Sequence, residues 1–390
     1  MSTPLHTDIC ILGGGIAGLW LNARLQQQGY STLLIEAHAL GGGQSNKSQG
    51  IIHGGTKYAL QGKLTAAAEA IAEMPARWRA CLDGSGELDL RGVRVLSAHH
   101  YLWSPGNLIS NLAGFFASKA LRGRVDSIKG KDLPLVFASP AFKGKVYQLA
   151  ELVLDVPDLV RRLAELSGDS LMSGTVQAQG NATEGITGVQ VDGQPIIARR
   201  YVLAAGEGNE AILHSVGIQQ PAMQRRPLQM VLVKGPNLPA LYAHCLGNSS
   251  KPRMTVTTHP CADGQWCWYL GGDLAEHGTH MAPAELILRA QQELGELLPW
   301  VDLRDCQWAT LPVTRAEPAQ SGLVRPDNAY LQAVGNLLVC WPTKLALAPD
   351  LSDQVLATLQ QQALQPELPQ PENPLPSPVV ATPVWDTLFS

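Results

Sequence analysis

Apolar residues recur along this chain in two rhythms. Near the start, Ile9, Cys10, Ile11 and Leu12 form a short unbroken run, the pattern of a strand buried on both faces. A helical stretch then runs to Gly29, and a second apolar segment, Ser31 to Ile35, ends at Glu36, so the first 36 residues predict a βαβ unit. Other segments, "GVRVLSAHHYLW", "LQMVLVKG", "RMTVTTHP" and "QWCWYLGGD", alternate in the period of two and predict an antiparallel sheet. The turn Asp263-Gly264 joins the last two. Tyr58 opens a helical pattern in which Leu60, Leu64, Ala68, Ile71 and Trp78 share a face. From Gln365 the chain is rich in proline, which excludes helix and central strand and predicts an extended wrap or a disordered end.

The junction between the first strand and its helix carries the first chemistry. Gly13, Gly15 and Gly18 stand in G-x-G-x-x-G spacing. In that register Gly13 permits a tight turn, Gly15 lets a pyrophosphate reach backbone, and Gly18 lets helix and strand pack closely. The helix start at Ile16 and Ala17 presents N–H groups and the positive dipole end to phosphate. Glu36, at the end of the second strand, is placed for an adenosine ribose. Together these features predict a bound adenine dinucleotide.

Composition narrows the class. The chain has 390 residues, 45% hydrophobic and 16% charged, enough for one large or two medium domains with buried cores. Its formal net charge is -4 and its lysines and arginines are scattered, which argues against nucleic acid or an anionic membrane surface as partner. No leader pattern precedes the first strand and no run of about 18 apolar residues is present, so no transmembrane segment is expected and the cytoplasm is the expected location. The seven cysteines are odd in number and lack C-x-x-C spacing, against a disulfide framework and against a metal site. Cys261 and Cys267, flanking the Asp263-Gly264 turn, read as a chance cross-strand pair.

An NAD-linked dehydrogenase continues with further βα units, whereas this chain goes directly into a second glycine cluster, "GGGQSNKSQGIIHGGTKYAL", which points to FAD. With "GDSLMSGTVQAQG", "RRYVLAAGEGNEAIL" and the closing "GLVRPDNAYLQAVGNLLVCWPTKLALAPDLSDQVLATL", the order of segments resembles the FAD-dependent oxidoreductases of the D-amino acid oxidase superfamily. The resemblance runs from Asp8 to about Leu359. It implies an α/β fold, a Rossmann-like FAD-binding domain of the glutathione reductase type interleaved with an antiparallel-sheet substrate domain. Residues 1–85, 150–225 and 310–365 would form the FAD-binding domain, 86–149 and 226–309 the substrate domain, and 366–390 the proline-rich tail. It further implies that Gly43, Ser45 and Ser48 grip pyrophosphate and ribityl, that Gly50 and Ile52 lie along the flavin, that Val176 meets the adenine, and that Ala205, Gly206, Thr343, Lys344 and Leu345 close over the cofactor.

"SQGIIHGGTKYAL", "PTKLALAP" and "GLVRP" most resemble stretches of FAD-dependent glycerol-3-phosphate dehydrogenase, and His259 sits in a setting similar to that of a histidine in 2-hydroxyacid oxidases such as L-2-hydroxyglutarate oxidase. By that resemblance His53 and Lys344 are the catalytic candidates, and Lys57, Tyr58, His259 and Arg325 the substrate-binding ones. This sequence departs at Lys57, where the family has arginine, and at Trp341 and Pro342, which replace glycines. The implied activity is removal of hydride from a CH–OH or CH–NH carbon of a small polar molecule, such as a 2-hydroxyacid, polyol phosphate or amino acid. A second G-x-G-x-x-G unit and a redox cysteine pair are both missing from the sequence, so electrons are expected to enter from a substrate bound against the flavin and leave to oxygen or a quinone. The rival class is a non-catalytic FAD-binding carrier or interaction module.

Overall fold

Leu5–Leu12 occupies the middle of a largely parallel sheet. It pairs with Thr32–Glu36 on one side, in register Ile9 to Thr32 and Leu12 to Ile35, and with Gln194–Leu203 on the other. Leu171–Ser173 adds beyond the former and Leu337–Trp341 beyond the latter, both parallel, while Val176–Asn181, Gly185–Val191 and Tyr330–Val334 complete the sheet in antiparallel sense. The computed structural model from which this is read describes residues 2–55, 66–105, 125–247, 252–321 and 328–389.

The unbroken apolar run of the first strand follows from this position. Ile9 and Ile11 face a core shared with Trp20, Leu159 and Leu351, whereas Cys10 and Leu12 face an opposite core with Tyr201, Val339 and Trp341. A strand covered on both faces has no polar side to show in the sequence. On the first face the helix Ile16–Gln27 packs against the helices Val156–Ser167 and Ala348–Gln361. The helix Ala66–Asp83 joins them through Trp78, whose ring lies 4.6 Å from that of Trp20 and whose Nε1–H donates to the Ala346 carbonyl. Tyr58, Leu60 and Leu64 of that predicted helix fall outside the described residues.

A second sheet runs in the order Gln307–Pro318, Met223–Gly235, Trp266–Gly271, Pro252–Pro260, Ala243–Leu246, His100–Ser104, Lys145–Leu149, Val125–Ile128. All its pairs are antiparallel except that of Ala243–Leu246 with His100–Ser104. It contains "LQMVLVKG", "RMTVTTHP" and "QWCWYLGGD" as expected, with Gly264 at φ +82 in the turn. Met223–Gly235 and Gln307–Pro318 pair along their length and run through the expected boundaries at 225/226 and 309/310. Strand pairing, which composition does not reveal, sets where these segments belong.

The stretch "GVRVLSAHHYLW" behaves differently from a single strand. It breaks after Ser97: Val95–Ser97 joins a small sheet with Leu152–Leu154 and Ile51–Ile52, and His100–Ser104 joins the large antiparallel one. Ser97 Oγ–H donates to the His99 carbonyl across the break, a local side-chain bond that competes with ladder bonds.

The tail is an ordered wrap. Glu367 and Leu368 N–H groups donate to the buried Asp8 carboxylate, Gln370 exchanges two hydrogen bonds with Thr32, and Leu40 and Ala381 bond in a ladder that runs beside the second glycine cluster. Burial alone would raise the Asp8 carboxyl, but Arg199 at 2.9 Å and the N–H groups of Ser31, Glu367 and Leu368 hold it below its ordinary value. Contrary to the exclusion of helix, the last turn is one: Val384–Leu388 follows Pro383 at its cap, a place where proline is tolerated because no N–H is needed there. Trp385 of that turn is buried at 2% exposure and stacks on His259 with ring centres 4.2 Å apart.

Among the described residues no helix is long and apolar enough to cross a membrane. Because Trp385 anchors the end of the wrap, Trp385→Ala should cost about 3 kcal/mol in denaturant unfolding. An unchanged unfolding midpoint would show that the terminal turn is merely laid on the surface.

Candidate active site

The parallel strands all release their chains at one edge of the sheet: Leu12 into Gly13, Glu36 into the second glycine cluster, Leu203 into Ala205–Gly206 and Trp341 into Thr343–Leu345. Open α/β sheets bind ligands at this carboxyl edge. The cofactor candidates that follow these strand ends, Gly13, Ala205, Gly206, Thr343, Lys344 and Leu345, thereby lie along one edge of the sheet, whereas Val176 opens the antiparallel strand at its margin.

Backbone contact shapes the crevice. Gly13 turns at φ +116, and a Cβ there would lie 2.5 Å from the Ala205 Cα; a Cβ on Gly18 would lie 2.0 Å from the Gly13 carbonyl oxygen. Gly15 is different. A Cβ there meets nothing nearer than Ser45 Oγ at 3.3 Å, and one on Gly43 meets nothing within 4 Å. Open space therefore lies beside the N-terminus of Ile16–Gln27, whose first turn carries no acid.

Polar groups ring that space. Ser45 Oγ accepts the Ile16 N–H at 3.0 Å; Glu36 accepts the Gly14 N–H at 2.7 Å and the His38 N–H at 2.9 Å. Ser48 Oγ accepts the Gly50 N–H, and Ala17 is buried behind the helix start. On the far side the Asn209 side chain accepts the Ala205 N–H and donates to the Cys340 carbonyl, while Trp341 Nε1–H donates to the Gly206 carbonyl. Thr343 adopts φ +61, a strained region for a β-branched residue, and places Lys344, 7% exposed, at the cap of the Leu345–Leu347 turn.

That turn packs against Ile51–Ile52, with Ile52 wholly buried, so His53 and Lys344 lie on adjacent segments. His53 is one-third exposed. Its Nδ1 lies 3.2 Å from Glu151 Oε2, and Glu151 Oε1 accepts the Gly54 N–H at 3.0 Å. The His53 ring lies parallel to that of His244, 6.0 Å away, and His244 in turn meets His100 at 4.2 Å. His244 Nδ1 and Thr255 Oγ1 are 2.8 Å apart. Burial alone would raise the Glu151 carboxyl, yet the hydrogen bond and charge of His53, the charge of His244 and the Gly54 N–H hold it below its ordinary value. Burial, with His244 and His53 nearby, pushes His100 well down. Donor atoms of His53, Glu151 and His244 lie within 4.8 Å of one another, a set that could hold a metal ion.

His259 lies elsewhere. It is wholly buried under Trp385, with Nε2 2.9 Å from Thr257 Oγ1, and burial pushes it down to about 3. Lys57, Tyr58 and Arg325 lie outside the described residues. Sequence reading missed Glu151, His244 and His100. Only strand register could have found Glu151, because pairing of Ile52 with Leu152 sets His53 opposite it.

The family model described as FAD dependent oxidoreductase (DAO) matches residues 8–337. A Pseudomonas aeruginosa protein named "Probable FAD-dependent oxidoreductase" is 60% identical over 391 residues, covering 100% of both chains. The crystal structure of an FAD dependent oxidoreductase from Pseudomonas aeruginosa gives a TM-score of 0.88 at 55% identity over 100% of both chains. Glycine oxidase from Geobacillus kaustophilus gives 0.66 at 16% identity, over 94% of this chain and 100% of that one, and so shares the fold.

The crevice fits such a cofactor. Open space at Gly15 and Gly43, a helix N-terminus without acids and the Ser45 hydroxyl suit a pyrophosphate, and Glu36 stands one strand away for a ribose. Two glycine substitutions should therefore fail in different ways. Gly15→Val should fold but purify colourless, whereas Gly18→Ala, which as an ordinary helix substitution would gain up to about 1 kcal/mol, should lose stability through collision with Gly13. Absorbance and thermal unfolding distinguish them; FAD at full occupancy in Gly15→Val would overturn the assignment of that space.

His259 supplies a pH prediction. The folded ring stays neutral down to about 3, so as pH falls below about 6.5 the unfolded chain takes up a proton that the folded chain refuses. Stability is therefore lost toward acid. Between pH 7.5 and 5.5 wild type should lose about 1.4 kcal/mol more than His259→Phe in denaturant unfolding. Equal losses would mean that the buried ring is protonated in place.

Proposed function

We infer the reaction from one premise: the chain belongs to the DAO family of FAD-dependent oxidoreductases. It is an enzyme and FAD is its cofactor. We propose that its substrate is a small polar amine or amino acid oxidised at a CH–NH carbon, with His53 and Lys344 as the catalytic residues. The observation that supports this reading is that Ile51–Ile52 packs on the Leu345–Leu347 turn, so that His53 and Lys344 lie on adjacent segments.

Bound FAD supplies the acceptor for the substrate hydride. His53 accepts the heteroatom proton, because an amine is largely ammonium at neutral pH and must lose a proton before its carbon can release hydride. Lys344, near the N-terminus of Ala348–Gln361, adds positive charge to that helix end and favours the anion formed on reduction. Lys57, Tyr58 and Arg325 are proposed to hold the polar end of the substrate, on the resemblance alone. The antiparallel sheet is proposed as the substrate domain. Glycine oxidase shares only the fold, and its name supports the choice of CH–NH carbon.

A CH–OH substrate, a 2-hydroxyacid or polyol phosphate, is the second reading. His53 itself favours it, since a hydroxyl cannot be oxidised to a carbonyl without giving up its proton. Oxygen or a quinone is the proposed electron acceptor. The cytoplasm is the proposed location, supported by seven unpaired cysteines, of which Cys10, Cys81, Cys245, Cys261, Cys267 and Cys340 are buried thiols.

The test is anaerobic bleaching of the bound flavin by a panel of amino acids, secondary amines, 2-hydroxyacids and polyol phosphates. Amines should bleach it fastest; faster bleaching by a 2-hydroxyacid or a polyol phosphate would overturn the choice of a CH–NH carbon. Lys344→Met should keep FAD yet lower its midpoint potential by about 20 to 45 mV, the equivalent of about 1 to 2 kcal/mol of lost charge stabilisation. An unchanged potential would remove Lys344 from the chemistry.

A further inference from the structure

We propose that Glu151 is the positioning residue for His53: its buried carboxylate holds the His53 Nδ1–H and so presents Nε2 as the proton acceptor. The inference deepens, and rests on, the reading in which His53 takes the substrate proton.

Strand register creates the pair. Ile51 and Ile52 lie opposite Val153 and Leu152 in an antiparallel ladder, so the next residue on one strand, His53, meets the previous residue on the other, Glu151. Both carboxylate oxygens are committed to this short segment, Oε2 to His53 Nδ1 at 3.2 Å and Oε1 to the Gly54 N–H at 3.0 Å. A carboxylate only accepts, so Nδ1 must carry the proton. The neutral ring is thereby fixed in one tautomer, with its lone pair at Nε2.

Charge makes the arrangement more than a clamp. The Glu151 side chain is 4% exposed, and its recorded ion pair among the described residues is with His53. Arg79, reaching the same neighbourhood from the Ala66–Asp83 helix, spends its guanidinium on the Ala98 and Ala150 carbonyls. A buried carboxylate favours positive charge on the base it touches. When Nε2 takes a proton, the imidazolium gains a partner already in contact, and no charge has to move.

Besides Glu151, the titratable side chains named around His53 among the described residues are histidines, an arginine and a lysine. His244 stacks parallel to His53 with its own Nδ1 beside Thr255 Oγ1; His100 lies behind it, wholly buried, with no partner recorded for either ring nitrogen. Lys344 is on the turn packed against Ile51–Ile52. Of the titratable and charged groups named around His53 (Glu151, His244, His100, Arg79 and Lys344), Glu151 is the acid. The substrate proton would pass to Nε2, while bound FAD would supply the acceptor for the hydride and its electron pair, so no covalent bond to the protein is needed.

The experiment compares FAD-loaded wild type, Glu151→Gln, Glu151→Asp and His53→Asn. Histidine-selective nitrogen NMR of the oxidised enzyme reads the tautomer without substrate, and anaerobic flavin reduction across pH reads the chemistry. Wild type should show His53 as the Nδ1–H tautomer, identified by its loss in His53→Asn, and Glu151→Gln should shift it toward Nε2–H. Reduction in Glu151→Gln should be roughly 10- to 100-fold slower, with an altered dependence on pH. Glu151→Asp should fall between the two, and carries the test if Glu151→Gln loses FAD. An unchanged tautomer and pH profile, with His53→Asn still slow, would overturn the role of Glu151 alone. Wild-type rates in His53→Asn would overturn the proton reading and the inference with it. Visible Co2+ absorption bands that appear in wild type and vanish in Glu151→Gln would assign the cluster to a cation and overturn the proposal.

Discussion

Two glycines meet backbone against backbone where the first strand passes into its helix. With Gly18 lying against the Gly13 carbonyl, the first helix is held hard onto the end of the central strand, and its N-terminus points across the carboxyl edge of the sheet. Everything at the crevice is measured from that contact. The Ser45 hydroxyl reaches the first helical N–H, Glu36 reaches the turn between strand and helix, and Ala205 closes the opposite wall within backbone contact of Gly13. One added methyl group would separate these parts, and no side-chain adjustment could restore them, because both atoms in contact belong to backbone.

A second constraint is the cost of buried charge. Asp8 and Glu151 are both carboxylates withdrawn from water, and the fold treats them differently. Asp8 receives a guanidinium and several N–H groups, one of which locks the tail to the sheet, a structural use of a satisfied ion. Glu151 receives one amide and a titratable ring. The first is an ion pair with a guanidinium; the second sets the carboxylate against an imidazole. That difference separates architecture from reactivity.

The tail shows how a segment poor in regular structure can still be ordered. Its prolines limit what the unfolded chain can sample, so less entropy is lost on folding, and its N–H and carbonyl groups are satisfied by Asp8, Thr32, Leu40 and Asn46. By ending in Trp385 over His259, it covers part of the antiparallel sheet. A histidine that in sequence resembled a substrate ligand is by that contact a packed core residue.

The sequence by itself determined what depends on near neighbours: the βαβ unit, its glycine spacing, the acid at Glu36, the hairpin at Asp263-Gly264 and the strands around it. Each rests on periodicity or backbone permission within a few residues, which a linear string records. Tertiary structure alone decided what depends on distant pairing. It joined Met223–Gly235 to Gln307–Pro318, split "GVRVLSAHHYLW" between two sheets, buried His259 and set Glu151 opposite His53. His53 and Glu151 stand 98 positions apart, and the chain between them carries no local signal of their meeting. A carboxylate in an ordinary apolar stretch becomes part of a site only when a ladder registers it against an imidazole and burial removes the water that would otherwise screen them.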